Sequence, residues 1–493
     1  MAKFNSKSNS TIETNMENGI AYSRKDSRKD FINIIINSLL KNSSFYESEE
    51  QRIKNIENII KKLIKDNEIE FLLKAMIYTR NVANLRSISH IVATLIVENL
   101  KGNDLTKPAL VQTFSRVDDM IETFAFWVNR NKDKNIPNAL RRAFKSALEK
   151  NFNEYQLTKY KATNKKIKLR DIVKIAHPDP KKAIKYNNDE NIFKRVIENN
   201  TMKIETVVSN LASGMNAAEN LEKMLNEKTL GYMAALKAIR NALEAGLKEE
   251  TLNIWIAYIT NKNAIKNSKV LPFRFYDAFE AVDNLNIDRI VINKVKKALE
   301  TAFSISAENV GILNENERMA ILLDESGSMN GIPFKVGKTL SASILTNVKN
   351  DDVVFYTWAN DCTQRTISGS VFDFINNTQE NGGGTDISAP FKKLIETKTF
   401  VDKIIIFTDM QMYSYDIKKY KFSHYVKEYQ KINPNVKILF WNLEGYKTGT
   451  PITLNEDILE ISGYSDNLLS VVGKLWENEN ALIDEINSII IEK

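Results

Sequence analysis

The sequence has 493 residues, 43% of them hydrophobic, with 17 Gly and 9 Pro, an ordinary globular composition with length for two to four domains. A single cysteine, Cys362, excludes an internal disulfide framework, and with only three histidines it is too little for a zinc cluster. The first 19 residues lack the apolar core of a signal peptide, and no apolar run approaches the ~20 residues that span a bilayer. We therefore expect a soluble, cytoplasmic protein with no membrane partner.

The net charge of +7 is unevenly distributed. Residues 1–310 hold 51 Lys+Arg against 37 Asp+Glu, whereas the remainder holds 18 against 25. A basic module followed by an acidic one indicates a polyanionic partner for the first. Abundant Lys, Asn and Ile throughout also indicate an AT-rich genome, which would account for part of the lysine excess.

Residues from about 28 to 305 have helical periodicity. Segments such as FINIIINSLLKN and ISHIVATLIVENL place apolar residues at i, i+3, i+4 and i+7, and short polar linkers separate them. Helix pairs recurring at roughly 35–45 residues predict stacked hairpins of the HEAT or armadillo type. Without a strict internal repeat, a compact helical bundle remains the alternative.

After residue 315 the pattern changes to short, almost continuous apolar runs. MAILLDE, DVVFYTWA, KIIIFTDM and VKILFWNL are typical of strands covered on both faces. Helical candidates lie between them, around 334–349, 387–397, 415–431 and 466–476. The alternation predicts a doubly wound, Rossmann-like parallel sheet, in which ligands bind outside the carboxyl ends of the strands.

The segment ILLDESGSMNG (321–331) follows the first strand and allows three interpretations. A P-loop is disfavoured because five residues, not four, separate Gly331 from Gly337, so we expect a helix there with Lys338 on its solvated face. An aspartyl phosphotransfer site needs a second acid two residues after Asp324, and that position is Ser326.

The third interpretation is a site for a hard metal ion. Asp324, Ser326 and Ser328 offer oxygen ligands, Thr385 lies in the glycine-rich NGGGTDIS loop, and Asp409 ends the strand FTDM. Two acids and three hydroxyls suit a divalent ion, Mg²⁺ above all, with Mn²⁺ or Ca²⁺ as alternatives. Loop hydroxyls usually cap helices, but five such positions at three strand ends favour a metal.

DESGSM, Thr385 and Asp409 together resemble the metal-ion-dependent adhesion site (MIDAS) of von Willebrand factor A domains. The resemblance implies that Asp324, Ser326, Ser328 and Thr385 ligate the ion directly or through water, with Asp409 contributing from the third loop. In that family the site is generally a docking point and not a catalytic one.

Residues 141–185 carry the strongest nucleic-acid signal, with 14 Lys+Arg against 4 Asp+Glu. Phe152, Tyr155 and Tyr160 are interleaved with these charges. Phosphate contacts dominate nucleic-acid affinity, and aromatic side chains can stack on unpaired bases. The alternative is a solvated lysine-rich helix face followed by a flexible loop.

The block ALRRAFKSALEKNFNEYQLTKYK followed by KLRDIVKIAHPDP resembles the TROVE module of Ro ribonucleoproteins, as do residues 71–93, 116–127 and 270–279. The resemblance implies a monomeric ring of HEAT-like helical repeats that binds Y RNA on its basic outer face and single-stranded RNA ends in its central hole. RNA contacts carried over from it, together with lysines that could extend the patch, are Arg141, Arg142, Lys145, Lys159, Lys161, Lys165, Lys166, Lys168, Arg170 and His177.

TROVE followed by a von Willebrand A domain is the domain order of Ro proteins, which predicts a TROVE domain over 1–315 and an A-like domain over 316–493. We expect a non-catalytic scaffold that binds a small noncoding RNA and acts in RNA quality control or processing. The resemblance also implies an exoribonuclease partner such as polynucleotide phosphorylase. The competing hypothesis is a metal-dependent protein-adhesion scaffold in which RNA binding is secondary.

Overall fold

The chain forms two compact units that are each discontinuous in sequence. The helical unit comprises Arg24–Ile204 and Asn480–Lys493, and the mixed unit comprises Met1–Ser23 and Glu205–Glu479. The computed structural model describes residues 12–15, 19–22, 26–36, 48–132, 134–160, 166–183, 191–202, 204–270, 272–307, 317–346, 348, 352–366, 369–412, 422–446, 449–463 and 472–492. No described helix is both long and apolar enough to cross a lipid bilayer.

Helices account for the secondary structure described in the helical unit. In chain order they are α1 (Ser27–Ile36), α2 (Glu49–Lys65), α3 (Ile69–Asn81), α4 (Arg86–Asn99), α5 (Thr106–Thr113), α6 (Val117–Arg130), α7 (Asn138–Lys150), α8 (Glu154–Lys159), α9 (Leu169–Ala176) and α10 (Ile192–Ile197). α2 shows why they form: Ser48 caps its first turn, and Ile56, Ile60 and Leu63 are fully buried along one stripe.

Many of these helices pack against the second helix after them along the chain. α2 contacts α4, α3 contacts α5, α4 contacts α6, α5 contacts α7, and α7 contacts α9. This neighbour pattern arises when helical hairpins stack in series, so it favours the predicted repeat architecture over a compact bundle.

The mixed unit has a helical part, and seven helices lie in its described residues. They are α11 (Val207–Ala212), α12 (Ala217–Asn226), α13 (Tyr232–Glu244), α14 (Glu249–Ile259), α15 (Lys262–Ser268), α16 (Pro272–Asp283) and α17 (Arg289–Ala307). The α/β part follows, and the predicted boundary near residue 316 falls within 308–316, outside the described residues.

The mixed unit contains a short hairpin and a larger sheet. The hairpin is β1 (Ile12–Thr14) and β2 (Ile20–Tyr22), and the sheet consists of β3 (Met319–Asp324), β4 (Val353–Trp358), β5 (Cys362–Arg365), β6 (Lys403–Thr408), β7 (Lys437–Asn442) and β8 (Ile458–Ser462). Its helices are α18 (Ile332–Leu345), α19 (Val371–Asn377), α20 (Ser388–Glu396) and α21 (Phe422–Tyr429). The last described helix, α22 (Ala481–Asn487), belongs to the helical unit and packs on α3 within it.

The sheet order is β5-β4-β3-β6-β7-β8, with β5 antiparallel at one edge and the other pairs parallel. β3 and β6 are buried at every position, as expected for central strands covered on both faces. The predicted fold class, a helical-repeat part followed by a Rossmann-like α/β part, is confirmed. The helices predicted around 334–349 and 387–397 are present, whereas most of 466–476 and the start of 415–431 lie outside the described residues.

Gly337 lies within α18 and has a packing role, which rules out the P-loop interpretation. A Cβ added there would lie 2.5 Å from Cδ1 of Leu323 and 3.2 Å from Cδ1 of Leu443, so glycine allows α18 to approach the sheet. The prediction that Lys338 lies on a solvated face is wrong. Lys338 is half-buried, its Nζ lies 5.8 Å from the ring centroid of Tyr276, and burial lowers its pKa.

The β1–β2 hairpin docks on the loop that follows β6. The buried Asn15 side chain donates to the carbonyl of Met412 at 2.6 Å, and the Tyr22 N–H donates to the carbonyl of Thr450 at 3.0 Å. Gly19 lies directly against the Met412 carbonyl, where an added Cβ would clash with backbone. The hairpin therefore buttresses the loop that begins with Asp409.

This close approach predicts that Gly19→Ala displaces the hairpin. We expect overpacking to cost about 1–3 kcal/mol and to increase amide hydrogen exchange in residues 12–22 and 409–412. Gly231→Ala is the matched control, because Gly231 has open space around the Cβ position and an ordinary φ of −74°. Equal exchange in the two variants would contradict the docking.

Candidate functional site

α7 presents a basic face because its apolar residues occupy the opposite side. Leu140, Phe144 and Ala147 are fully buried, whereas Arg141 and Arg142 are exposed. Lys145, one turn after Arg141, has 42% of its side chain exposed. The three predicted contacts on this helix therefore share one surface, as the 3.6-residue period requires.

α9 repeats this arrangement over its eight residues. Leu169, Ile172 and Val173 are buried, while Arg170 and Lys174 are exposed and His177 is exposed at the C-terminal end. The spacing i, i+4, i+7 places these three cations or potential cations on one helix face. Lys174 was not among the predicted contacts, although this spacing could have identified it.

The turn after α9 is fixed against α7 by a buried carboxylate. The Asp179 N–H donates to Oε1 of Glu149 at 2.8 Å, and only 6% of Glu149 is exposed. His177, the C-cap of α9, adopts a left-handed conformation with φ 48° and ψ 60°, and the chain turns there toward α7. The helices and this turn therefore form one surface, called here the basic face: α7, α9 and residues 177–182.

The remaining predicted contacts lie around the basic face. Lys166 is exposed before α9, Lys168 is the partly exposed N-cap of that helix, and Lys159 is exposed at the end of α8. Lys161 and Lys165 lie outside the described residues. Lys181 and Lys182 are exposed in the turn. They belong to the lysine-rich segment 141–185 but were not predicted as RNA contacts.

The interleaved aromatic residues have different roles. Phe152 is fully buried, so its prediction as a base-stacking side chain is wrong, because the apolar ring completes the core beneath α7. Tyr160 already stacks with the guanidinium of Arg116, whose Cζ lies 4.0 Å from the ring centroid. Tyr155 is 44% exposed and remains available for stacking.

The second candidate site lies in the mixed unit, at the carboxyl ends of β3 and β6. The site residues Asp324, Ser326, Ser328, Thr385 and Asp409 are all buried, with at most 8% exposed. The Ser326 N–H donates to Oδ1 of Asp324 at 2.9 Å, and the hydroxyl oxygens of Ser326 and Ser328 are 3.4 Å apart. Thr408 donates its hydroxyl to Oδ2 of Asp324 at 2.7 Å.

Backbone hydrogen bonds join the first loop of this site to the glycine-rich loop. The Gly327 N–H donates to the Gly383 carbonyl at 3.1 Å, and the Gly382 N–H donates to the Glu325 carbonyl at 3.1 Å. Gly383 has φ 108°, a conformation that L side chains rarely adopt. The glycine run therefore permits the turn that brings Thr385 to the first loop.

Glu325 anchors the loops and is not directed at the ion site. Its buried carboxylate accepts from Arg365 at 3.2 Å and from the Asn381 side chain at 3.2 Å. Sequence analysis missed Glu325, Arg365 and Asn381, because nothing in a single sequence shows that β5 pairs beside β4.

Burial and the negative charge of Asp409 raise the pKa of Asp324. Two buried carboxylates that interact in this way repel each other, and a divalent cation between them would remove that repulsion. The Ser326 N–H and the Thr408 hydroxyl donate to different oxygens of Asp324, and a carboxylate has about four acceptor positions. The donor set, two carboxylates and three hydroxyls, thus fits a hard divalent ion.

Comparison with known proteins gives a family and a fold. The family model described as the TROVE domain matches residues 15–210 and 200–294. The crystal structure of the Deinococcus radiodurans RO (RSR) protein is similar with a TM-score of 0.61 and 15% identity, over 92% of this chain and 100% of that one. At this identity the likeness is one of fold. A search of curated proteins found no match.

The raised pKa of Asp324 predicts a pH dependence of stability in metal-free protein. In the folded state the Asp324 carboxyl stays protonated at a pH where the same group in the unfolded chain, with an ordinary aspartate pKa of ~3.9, has lost its proton. The free energy of unfolding should therefore fall as the pH rises from about 4 toward neutrality. Asp324→Asn cannot ionise and should unfold at a higher temperature than wild type at neutral pH in EDTA.

Thermal unfolding in EDTA across this pH range measures the effect. Asp361→Asn is the control for loss of one negative charge, because Asp361 is exposed. The assignment of repulsion between buried carboxylates is refuted if Asp324→Asn and Asp361→Asn show the same pH profile.

Proposed function

The chain belongs to the TROVE domain family, the RNA-binding proteins of Ro ribonucleoproteins, and we propose that it binds a small noncoding, Y-like RNA on its basic face. The observation that carries this proposal is the surface built by α7, α9 and residues 177–182. It displays Arg141, Arg142, Arg170, Lys174 and His177 on adjoining helix faces.

Most of the cations on this face are available to phosphate. Within the described part of the chain, neither Arg142 nor Lys174 forms an ion pair, and the pairs of Lys145 and Arg170 are long, at 4.0 Å each. Among the described residues, the Arg141 side chain hydrogen-bonds only to the neutral Asn138, at 3.1 Å. A structured RNA would gain phosphate contacts here without displacing strong protein ion pairs.

We expect this chain to bind the RNA without catalysing a reaction on it. The protein would act as a scaffold in RNA quality control or processing, holding the small RNA and the single-stranded ends of misfolded RNAs. An exoribonuclease such as polynucleotide phosphorylase would then perform the cleavage. Mixing purified protein with RNA and Mg²⁺ should leave the RNA intact.

The site at the ends of β3 and β6 supports a second proposal, a divalent ion held by Asp324, Ser326, Ser328, Thr385 and Asp409. The ion, Mg²⁺ or alternatively Mn²⁺ or Ca²⁺, would supply a Lewis-acidic position for an acidic side chain of a protein partner. The buried, mutually repelling carboxylates support this assignment. If this site does the main work of the protein, the chain is a metal-dependent adhesion scaffold and RNA binding is secondary.

The RNA proposal predicts that charge reversal on the basic face abolishes binding. The triple variant Arg141→Glu, Arg142→Glu, Lys174→Glu should weaken the affinity for structured small RNA at least about 100-fold, and the wild-type affinity should fall steeply with salt. Electrophoretic mobility shift at several salt concentrations measures both effects.

A matched control changes the same net charge elsewhere. Lys237, Lys266 and Lys297 are exposed on α13, α15 and α17, and their reversal to Glu should weaken binding by less than about fivefold. Equal losses in the two triple variants would show that net charge, and not the basic face, determines affinity.

The metal proposal predicts that Mg²⁺ or Mn²⁺ raises the melting temperature of the wild type and not that of Asp409→Ala. Binding to the folded state alone stabilises it by mass action, and removal of one of two charged ligands should abolish that shift. RNA affinity should be unchanged in the variant. If Asp409→Ala loses RNA binding while remaining folded, the two sites are not functionally separate.

A further inference from the structure

A small pocket lies beside the basic face, between α8, α9 and α10. Its volume is about 230 Å³, and its apolar walls are formed by Leu157 of α8, Leu169 of α9 and Val196 of α10. Each of these residues is at most 6% exposed, so only an edge of each side chain faces the pocket. At ~30 Å³ per water the volume equals roughly eight waters, enough for one heterocyclic ring system and too little for a base pair.

One part of the pocket lining is cationic. Lys168 and Arg170 line it, and the Arg170 side chain is 50% exposed. Both residues were predicted as RNA contacts, so the pocket opens on the same surface that would hold the phosphate backbone. These two cationic side chains disfavour a positively charged ligand and favour an anionic one.

Another part of the pocket lining is polar. Asn199 and Thr201 line it, and Oγ1 of Thr201 is buried without a hydrogen-bond partner in the described structure. A buried hydroxyl with no partner costs free energy that a ligand atom at hydrogen-bond distance would recover.

The frame of the pocket is fixed by one carboxylate. Oε1 of Glu154, the first residue of α8, accepts from Arg195 at 2.6 Å and from the Met202 N–H at 3.3 Å. These bonds join α8 to α10 and to the segment that carries Thr201. The cavity is thus enclosed by elements tied to one another and is preformed.

Apolar walls, cationic side chains and an unsatisfied hydroxyl in one pocket match one nucleotide, whose base has apolar faces and polar edges and whose phosphate is anionic. We propose that this pocket binds a single unpaired nucleotide of the RNA held on the basic face. The inference rests on the proposed RNA binding and deepens it. It makes the surface selective for a duplex with an unpaired nucleotide at its edge over a fully paired one.

The test compares two RNA duplexes of equal length, one fully paired and one with a single unpaired 3′ nucleotide, by fluorescence anisotropy. Wild type should bind the second about tenfold more tightly, in line with the contribution of one buried base. Val196→Phe fills the pocket without changing charge. It should remove this preference and leave affinity for the paired duplex within about twofold.

A second variant and a second measurement keep the test decisive. Thr201→Val retains the shape of the wall and removes the hydroxyl, so it should reduce the preference about threefold. It tests the pocket even if Val196→Phe fails to fold. With 4-thiouridine as the unpaired nucleotide, ultraviolet cross-links should map to peptides containing Leu157, Leu169 or Val196. Wild-type binding of both duplexes with equal affinity would overturn the pocket assignment alone. Binding of neither would overturn the proposed function itself.

Discussion

Two amphipathic helices present one continuous charged surface only if their relative position is fixed, and in this protein direct packing of α7 on α9 and the buried Glu149 carboxylate fix it. By accepting the Asp179 N–H, Glu149 holds the turn after α9 against α7. The bond adds to the direct packing of α9 on α7, and it ties residues 177–182 to the same surface. The only acid within α7 thus serves to hold the basic face together.

The second site depends on a different constraint, the convergence of parallel strands at one edge of the sheet. β3 and β6 are adjacent and parallel, so Asp324 and Asp409 meet although 85 positions separate them in sequence. The fold holds these like charges together by burying them and by bracing the surrounding loops with Glu325 and with Asn15 of the hairpin. Such preorganised repulsion disfavours the ion-free state and favours binding of a cation.

The sequence contains enough local information to predict the fold class and to propose residues for both candidate sites. Helical and strand periods, the DESGSM segment and the lysine-rich block are all patterns within short windows. Phe152 was misassigned because interleaving with charges along the chain does not reveal which side of a helix a ring occupies. Lys338 was misplaced because its cover, Tyr276, lies on a helix 62 positions earlier.

Other features depend wholly on long-range pairing. The strands β5 and β8, the docking of Asn15 on Met412 and the pocket between α8 and α10 have no local signature. Lys174 is the exception, since its spacing from Arg170 and His177 was readable in the sequence.

The central claim, that the basic face is the RNA-binding surface, is tested most directly by mapping RNA where it binds in cells. The natively purified protein would be irradiated to cross-link its co-purifying RNA, and the cross-linked peptides would be identified by mass spectrometry. The account predicts cross-links concentrated between residues 138 and 201. Cross-links confined to residues 317–463, with none in α7 or α9, would contradict it.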